Sequence, residues 1–156
     1  MPIARIYADT SVYGGVFDEE FAVASREFFD AVRRGRFLLV TSVIVRDELL
    51  LSPSHVQDYF QDLAPIAEIL RINPEAIQLQ EDYLRAEVVT SKSQADALHV
   101  ALATVAACPI IVSWNFKHIV HFQKIPQYNA INRLRGYDPI AIHSPEEVRN
   151  NEDEDL

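Results

Sequence analysis

The chain has little cysteine, little glycine and no excess of positive charge. One cysteine, Cys108, in 156 residues excludes an intramolecular disulfide framework and a cysteine-rich zinc site. Four glycines, of which only Gly14 and Gly15 are adjacent, form no glycine-rich phosphate loop, and no Ser-His-Asp signature is present. No apolar run approaches the roughly 20 residues of a membrane helix. The N-terminus has no basic stretch followed by an apolar run and a small-residue cleavage site. Lys and Arg number 14 against 23 Asp and Glu, a net charge of -9, which argues against a broad, non-specific nucleic-acid binder. What is present is ordinary for a folded domain: 49% hydrophobic and 10% aromatic residues, enough for a core and too many for chain-wide disorder. The expectation is a soluble, cytoplasmic, single-domain protein with no membrane partner.

The charge is unevenly placed. Residues 146–156 hold six acids and one base, so they carry -5 of the -9. They are expected to form an acidic, disordered tail after a domain of residues 1–145. Residues 116–137 hold Lys117, Lys124, Arg133 and Arg135 and no acid. Such a strip can meet phosphate beside an acidic pocket.

Apolar runs at 3–8, 37–40, 110–113 and 140–143 read as strands. Amphipathic or capped segments between them read as helices. The predicted helices span 21–34, 43–51, 54–63, 65–70, 75–89, 94–107, 116–123 and 128–134, with a short turn after Asp9 and a last turn at 145–148. Alternation of this kind predicts an α/β fold whose parallel sheet is covered on both faces. In such sheets ligands collect outside the carboxyl ends of the strands.

Four polar residues pass that positional test. Asp9 follows the first strand, and Glu48 lies two turns into the helix after the second. Asp96 lies in the first turn of the Ala-rich helix, and Asn115 follows the strand at 110–113. Three carboxylates brought together repel one another, and a hard cation such as Mg²⁺ or Mn²⁺, which prefers oxygen ligands, resolves the repulsion. Each residue also has a plainer reading. Asp9 can be a helix cap, Glu48 part of a solvated face, and Asp96 a complement to the helix dipole, worth about 0.3–1 kcal/mol. Spacing alone does not bring the three together.

Four segments, in order, resemble those of PIN-domain proteins, especially the VapC-type ribonuclease toxins. They are Tyr7-Ala-Asp9-Thr-Ser11, Thr41-Ser-Val-Ile-Val-Arg-Asp-Glu48-Leu, Ala95-Asp96-Ala-Leu-His-Val-Ala-Leu-Ala103 and Ile111-Val-Ser113-Trp-Asn115-Phe-Lys-His. The third is the most specific and the second the weakest. The resemblance implies a three-layer α/β/α sandwich around a mainly parallel sheet and Mg²⁺- or Mn²⁺-dependent RNA cleavage. It implies Asp9, Glu48 and Asp96 as the acidic site, and commonly a homodimer and an antitoxin partner. The family's fourth acidic position is Asn115 here, whose amide oxygen can coordinate a cation without adding charge. Ser113 matches a hydroxyl position of the family, and Thr10 either caps the following turn or approaches the metal.

Other residues carry weaker readings. His99 is expected as a packed core histidine more than as a ligand. Lys117 and Lys124 are candidate substrate contacts, with His118 and His121 beside them. Trp114 and Phe116 are read as packing more than as base-stacking platforms. Alternatives to a ribonuclease are a catalytically weak PIN module that binds RNA or a protein, and a nuclease acting on DNA or a flap.

Overall fold

The computed structural model describes residues 3–154, with side chains described for 3–149. Five strands, β1 (Arg5–Ala8), β2 (Leu38–Ser42), β3 (Glu68–Leu70), β4 (Ile110–Val112) and β5 (Ala141–His143), form one sheet in the order β3-β2-β1-β4-β5. Every pairing is parallel, and Tyr7 of the central strand lies opposite Val40 on one side and Ile111 on the other. The chain moves outward from β1 to β2 to β3, then jumps back across β1 to β4 and on to β5. Right-handed crossovers in opposite directions put their helices on opposite faces. The helix contacts follow that rule. α1 (Thr10–Gly15), α2 (Ala22–Arg33), α3 (Val43–Leu49) and α4 (Ser54–Leu63) pack together, and α8 (Pro145–Glu154) returns to α2. α5 (Pro74–Arg85), α6 (Gln94–Val105) and α7 (Lys124–Leu134) form the other layer. The result is the PIN-like α/β/α sandwich that the sequence implied, with a sheet that is parallel throughout.

Burial explains the composition of the central elements. Ile6, Tyr7 and Ala8 are buried on both faces of β1, so that strand has no polar side. α6 is buried at every position from Ala97 to Thr104, and its small alanines let it lie close against the sheet and α5. Burying a single side chain such as Leu102 or Ile111 contributes about 1.5–3 kcal/mol.

Several elements differ from the sequence expectation. The helix expected at 65–70 is a 3₁₀ turn, Ala64–Ile66, followed by edge strand β3. β3 owes its form to its partners: it pairs with β2, and Arg5 grips both Glu68 carboxylate oxygens at 2.9 Å. α5 stops at Arg85 rather than Val89, because Glu87 turns left-handed (φ 60°) and the Val88 amide bonds back to the Tyr83 carbonyl. Residues 116–123 form turns rather than a helix: Asn115 caps a first turn by accepting the Lys117 and His118 amides, but the Val120 amide bonds back to the Asn115 carbonyl and the His121 amide to the Ile119 carbonyl, which ends it. α7 begins at Lys124, before Pro126, which the first turn of a helix tolerates. The final helix runs beyond the single turn expected at 145–148 and continues to Glu154, with Val148 buried and Glu146 and Glu147 in its first turn. Asp155 and Leu156, the end of the expected tail, lie outside the described residues.

Candidate active site

The reversal of strand order falls between β1 and β4, and a crevice there is where a doubly wound sheet offers a ligand site. Asp9 leaves β1 at this point. It caps α1, its Oδ1 accepting from the Ser11 amide at 3.1 Å and the Ser11 hydroxyl at 2.5 Å. Its Oδ2 accepts from the Ser113 hydroxyl, at the end of β4, at 2.6 Å. The cap reading of Asp9 is thus realised. Asp9 is buried, and burial raises its carboxyl above the ordinary value. The His99 charge and the two serine hydroxyls oppose that rise, while Asp96 adds to it.

Ser113 and Ser11 fasten the strand end around Asp9. The Ser113 oxygen also accepts the Asn115 amide at 2.9 Å, and the Ser11 oxygen accepts the Trp114 amide at 2.9 Å. The Trp114 indole turns inward, donating to Ser25 at 2.8 Å and stacking on Phe21 at 4.2 Å. It is packing, as expected.

Glu48 projects from α3, whose N-terminus is capped by Ser42 at the end of β2. Its Oε1 accepts from the Thr10 hydroxyl at 2.7 Å and lies 2.6 Å from His99 Nε2. Partial burial pushes the Glu48 carboxyl up, but the His99 ring and Thr10 hydroxyl bring it below its ordinary value. Thr10 therefore acts on Glu48, and its own backbone starts the helix that Asp9 caps.

Asp96 sits in the first turn of α6, half-buried. Burial raises its carboxyl and Glu48 adds to the rise, against the charges of His99 and His118 and a hydrogen bond from the Asn115 side chain. Asn115 spends its side-chain oxygen on the Lys117 and His118 amides at 3.2 and 2.9 Å.

His99 is the residue that sequence reasoning undervalued. It is packed in the core, as expected, yet both ring nitrogens are engaged: Nε2 with Glu48 and Nδ1 with the Tyr7 hydroxyl at 2.7 Å. Burial disfavours its charge, but the Glu48 hydrogen bond and the charges of Asp9, Glu48 and Asp96 outweigh burial and raise its pKa. The one sequence signal was its position three residues after Asp96, on the same helix face.

The basic strip is divided. Lys117 is exposed beside Asn115. Lys124 donates instead to the Val88 carbonyl at 2.7 Å, and Arg135 pairs with buried Asp82 at 2.7 Å, so both fasten α7 to the α5 layer.

Among the described residues, no three His, Cys, Asp or Glu side chains form a ready cation cage. The donor chemistry of the site nonetheless suits a hard cation: it is oxygen-only, and it holds a buried carboxylate whose charge meets that of Asp96. Mg²⁺ commonly takes one or two carboxylates and completes its shell with waters and substrate phosphates. Asp9, Glu48 and Asp96 are the residues that could hold it.

No family model and no curated protein matches the chain. Solved structures do match its fold. A chain of VapBC2 from Rickettsia felis, bound to a promoter DNA fragment, is 12% identical with a TM-score of 0.58, over 90% of this chain and 98% of that one. A chain of FitAcB from Neisseria gonorrhoeae is 14% identical with a TM-score of 0.57, over 90% and 97%. A chain of FitAB bound to a DNA fragment is 13% identical with a TM-score of 0.59, over 90% and 94%. No helix among the described residues is long and apolar enough to cross a membrane.

Proposed function

We propose that the protein is a metal-dependent endoribonuclease of the PIN type, the toxin of a toxin–antitoxin pair. The observation that carries this reading is that Asp9, at the end of β1, and Glu48, on α3, are tied together at the switch point by the consecutive Thr10 and Ser11, with His99 of α6, three residues after Asp96, bonded to Glu48. Evenly spread surface acids have no reason to be held by buried partners at a sheet's switch point. The similarity in fold to chains of VapBC2 and FitAB supports an antitoxin partner, and the sequence resemblance supports a homodimer.

A bound Mg²⁺ or Mn²⁺ would supply an activated water and neutralise charge at the scissile phosphate. The chain's own residues then have distinct tasks. Ser11 and Ser113 hold the Asp9 carboxylate in one orientation. Thr10 and His99 hold Glu48. Asn115 lies near Asp96 and eases its charge. Lys117, exposed next to Asn115, is placed to meet the RNA backbone. Water adds to phosphorus and the 3′-oxygen leaves, giving a 5′-phosphate and a 3′-hydroxyl.

The second reading, a catalytically weak module that binds RNA or a protein, is favoured by Asn115, whose amide oxygen is committed to backbone. One experiment separates the two. End-labelled RNAs of varied sequence are incubated with the wild type, Asp9→Asn and Asp96→Asn, in Mg²⁺, Mn²⁺ or EDTA. Cleavage that EDTA abolishes and that both variants lose supports the nuclease. RNA retention without cleavage supports the binding module.

A further inference from the structure

Glu48 belongs to a hydrogen-bonded circuit that closes on its own helix. Ser42 caps α3 by accepting the Val45 amide at 3.3 Å, and its oxygen lies 2.8 Å from the Tyr7 hydroxyl. Tyr7 meets His99 Nδ1 at 2.7 Å, and His99 Nε2 meets Glu48 Oε1 at 2.6 Å. Glu48 lies on the helix that Ser42 begins. The circuit joins β1, β2, α3 and α6, and Tyr7, Ser42 and His99 are all buried.

Chemistry fixes its direction at Glu48. A carboxylate only accepts, so Nε2 carries the proton that points at Glu48. With the ring neutral, Nδ1 accepts from the Tyr7 hydroxyl, which accepts from Ser42; with the ring protonated, Nδ1 donates to Tyr7, which donates on to Ser42, and in both states Glu48 Oε1 is the acceptor. Thr10 adds a second donor to Oε1. Among the described residues, Oε2 has no protein donor, and the Glu48 side chain is 38% exposed. One oxygen is thus held from inside and the other is left for a ligand.

We infer that Tyr7 and His99 are positioning residues, a buried relay that fixes Glu48 by Oε1 and reserves Oε2 for the ligand of the acidic site. The inference rests on the reading of Glu48 as a site acid. A relay of this kind orients a ligand-bearing carboxylate, and losing such a partner typically weakens metal binding 10- to 100-fold.

The test uses the full chain and two readouts. The first is the ring N–H correlation of His99 in ¹H–¹⁵N spectra, assigned with His99→Asn; a proton held in a buried hydrogen bond exchanges slowly enough to be seen. It should be visible in the wild type and should shift in both Tyr7→Phe and Glu48→Gln. The second is Mn²⁺ binding by calorimetry. Tyr7→Phe keeps the ring in the core and removes only the hydroxyl. It should weaken Mn²⁺ about tenfold, and should add nothing in a Glu48→Gln background. A purely structural Tyr7 would lower the unfolding midpoint and leave Mn²⁺ affinity unchanged, which overturns the inference. So do independent, multiplying losses in the double variant. A wild type that binds no Mn²⁺ sinks the metal reading of the site. The relay is then decided by the ring signal alone: it stands if the signal moves in both variants and falls if it does not.

Discussion

Gly15→Ala should be costly out of proportion to its single methyl. A Cβ at Gly15 would lie 2.7 Å from Ser25 Oγ, 2.8 Å from Trp114 Nε1 and 2.9 Å from Trp114 Cδ1. Neither neighbour moves freely, since Ser25 is fully buried and Trp114 is 8% exposed, bonded to Ser25 and stacked on Phe21. Overpacking of this kind costs about 1–3 kcal/mol. Parting the indole N–H from Ser25 costs about 1–3 kcal/mol more. Alanine returns up to about 1 kcal/mol through helix propensity. The net destabilisation should be about 3 kcal/mol, a fall in Tm of about 6–12 °C for a chain of this size. Gly14→Ala is the control: nothing lies within 4 Å of its Cβ, so it should stabilise by about 0.5–1 kcal/mol. Trp114 is the sole tryptophan, so its fluorescence in urea reports both stability and its own displacement. Melting of the two variants within about 2 °C of each other would refute the packing argument, since that is less than about 1 kcal/mol.

Four further outcomes are expected. Burial raises the Asp9 carboxyl above 3.8, so its charge opposes folding above the folded-state pKa, and the penalty fades as pH falls toward 3.8. Metal-free Asp9→Asn should therefore match or exceed the wild type in urea melts at pH 7, with the margin shrinking on acidification; a margin that grows would reverse the sign. Asn115→Asp keeps an acceptor for the Lys117 and His118 amides and puts a second charge beside Asp96, so it should lower the Mn²⁺ needed for half-saturation; an unchanged requirement would mean that this position does not face the cation. Lys117→Ala should flatten the slope of log RNA affinity against log salt by about 0.7. Lys124→Ala, which loses its bond to the Val88 carbonyl, should instead cost about 1 kcal/mol of stability and leave the slope unchanged.

The sequence was informative where local chemistry decides structure. Asp9, Ser42 and the apolar runs before them announce strand ends and caps, and the structure has caps at both residues. It was silent where distant partners decide. β3 is three residues with no buried face, and its strand form comes from β2 and from Arg5, which is 63 residues away. The turns after Asn115 looked helical because they begin as a capped turn, and apolar spacing does not register the Val120 and His121 amides bonding out of the helical ladder. His99 was read as packed, and it is. What the local sequence cannot contain is Tyr7, 92 residues earlier, and Glu48, 51 residues earlier, which give that buried ring its partners. Lys124 shows the same limit, because its ammonium is claimed by a carbonyl that charge patterning does not see.

The hydrogen bond from Ser113 to Asp9 spans 104 residues. A ribosome adding about 5–20 residues per second needs on the order of 5–20 s to cover that interval. Through that time β1 has left the tunnel without β4, its neighbour on one side, and without the hydroxyl that steadies Asp9. The crevice can close only after β4 has emerged. A nascent chain therefore lacks the crevice until that point. A partner that acts on the finished crevice has no target before then, and a truncated product ending before β4 would carry Asp9, Glu48 and Asp96 and still lack the site.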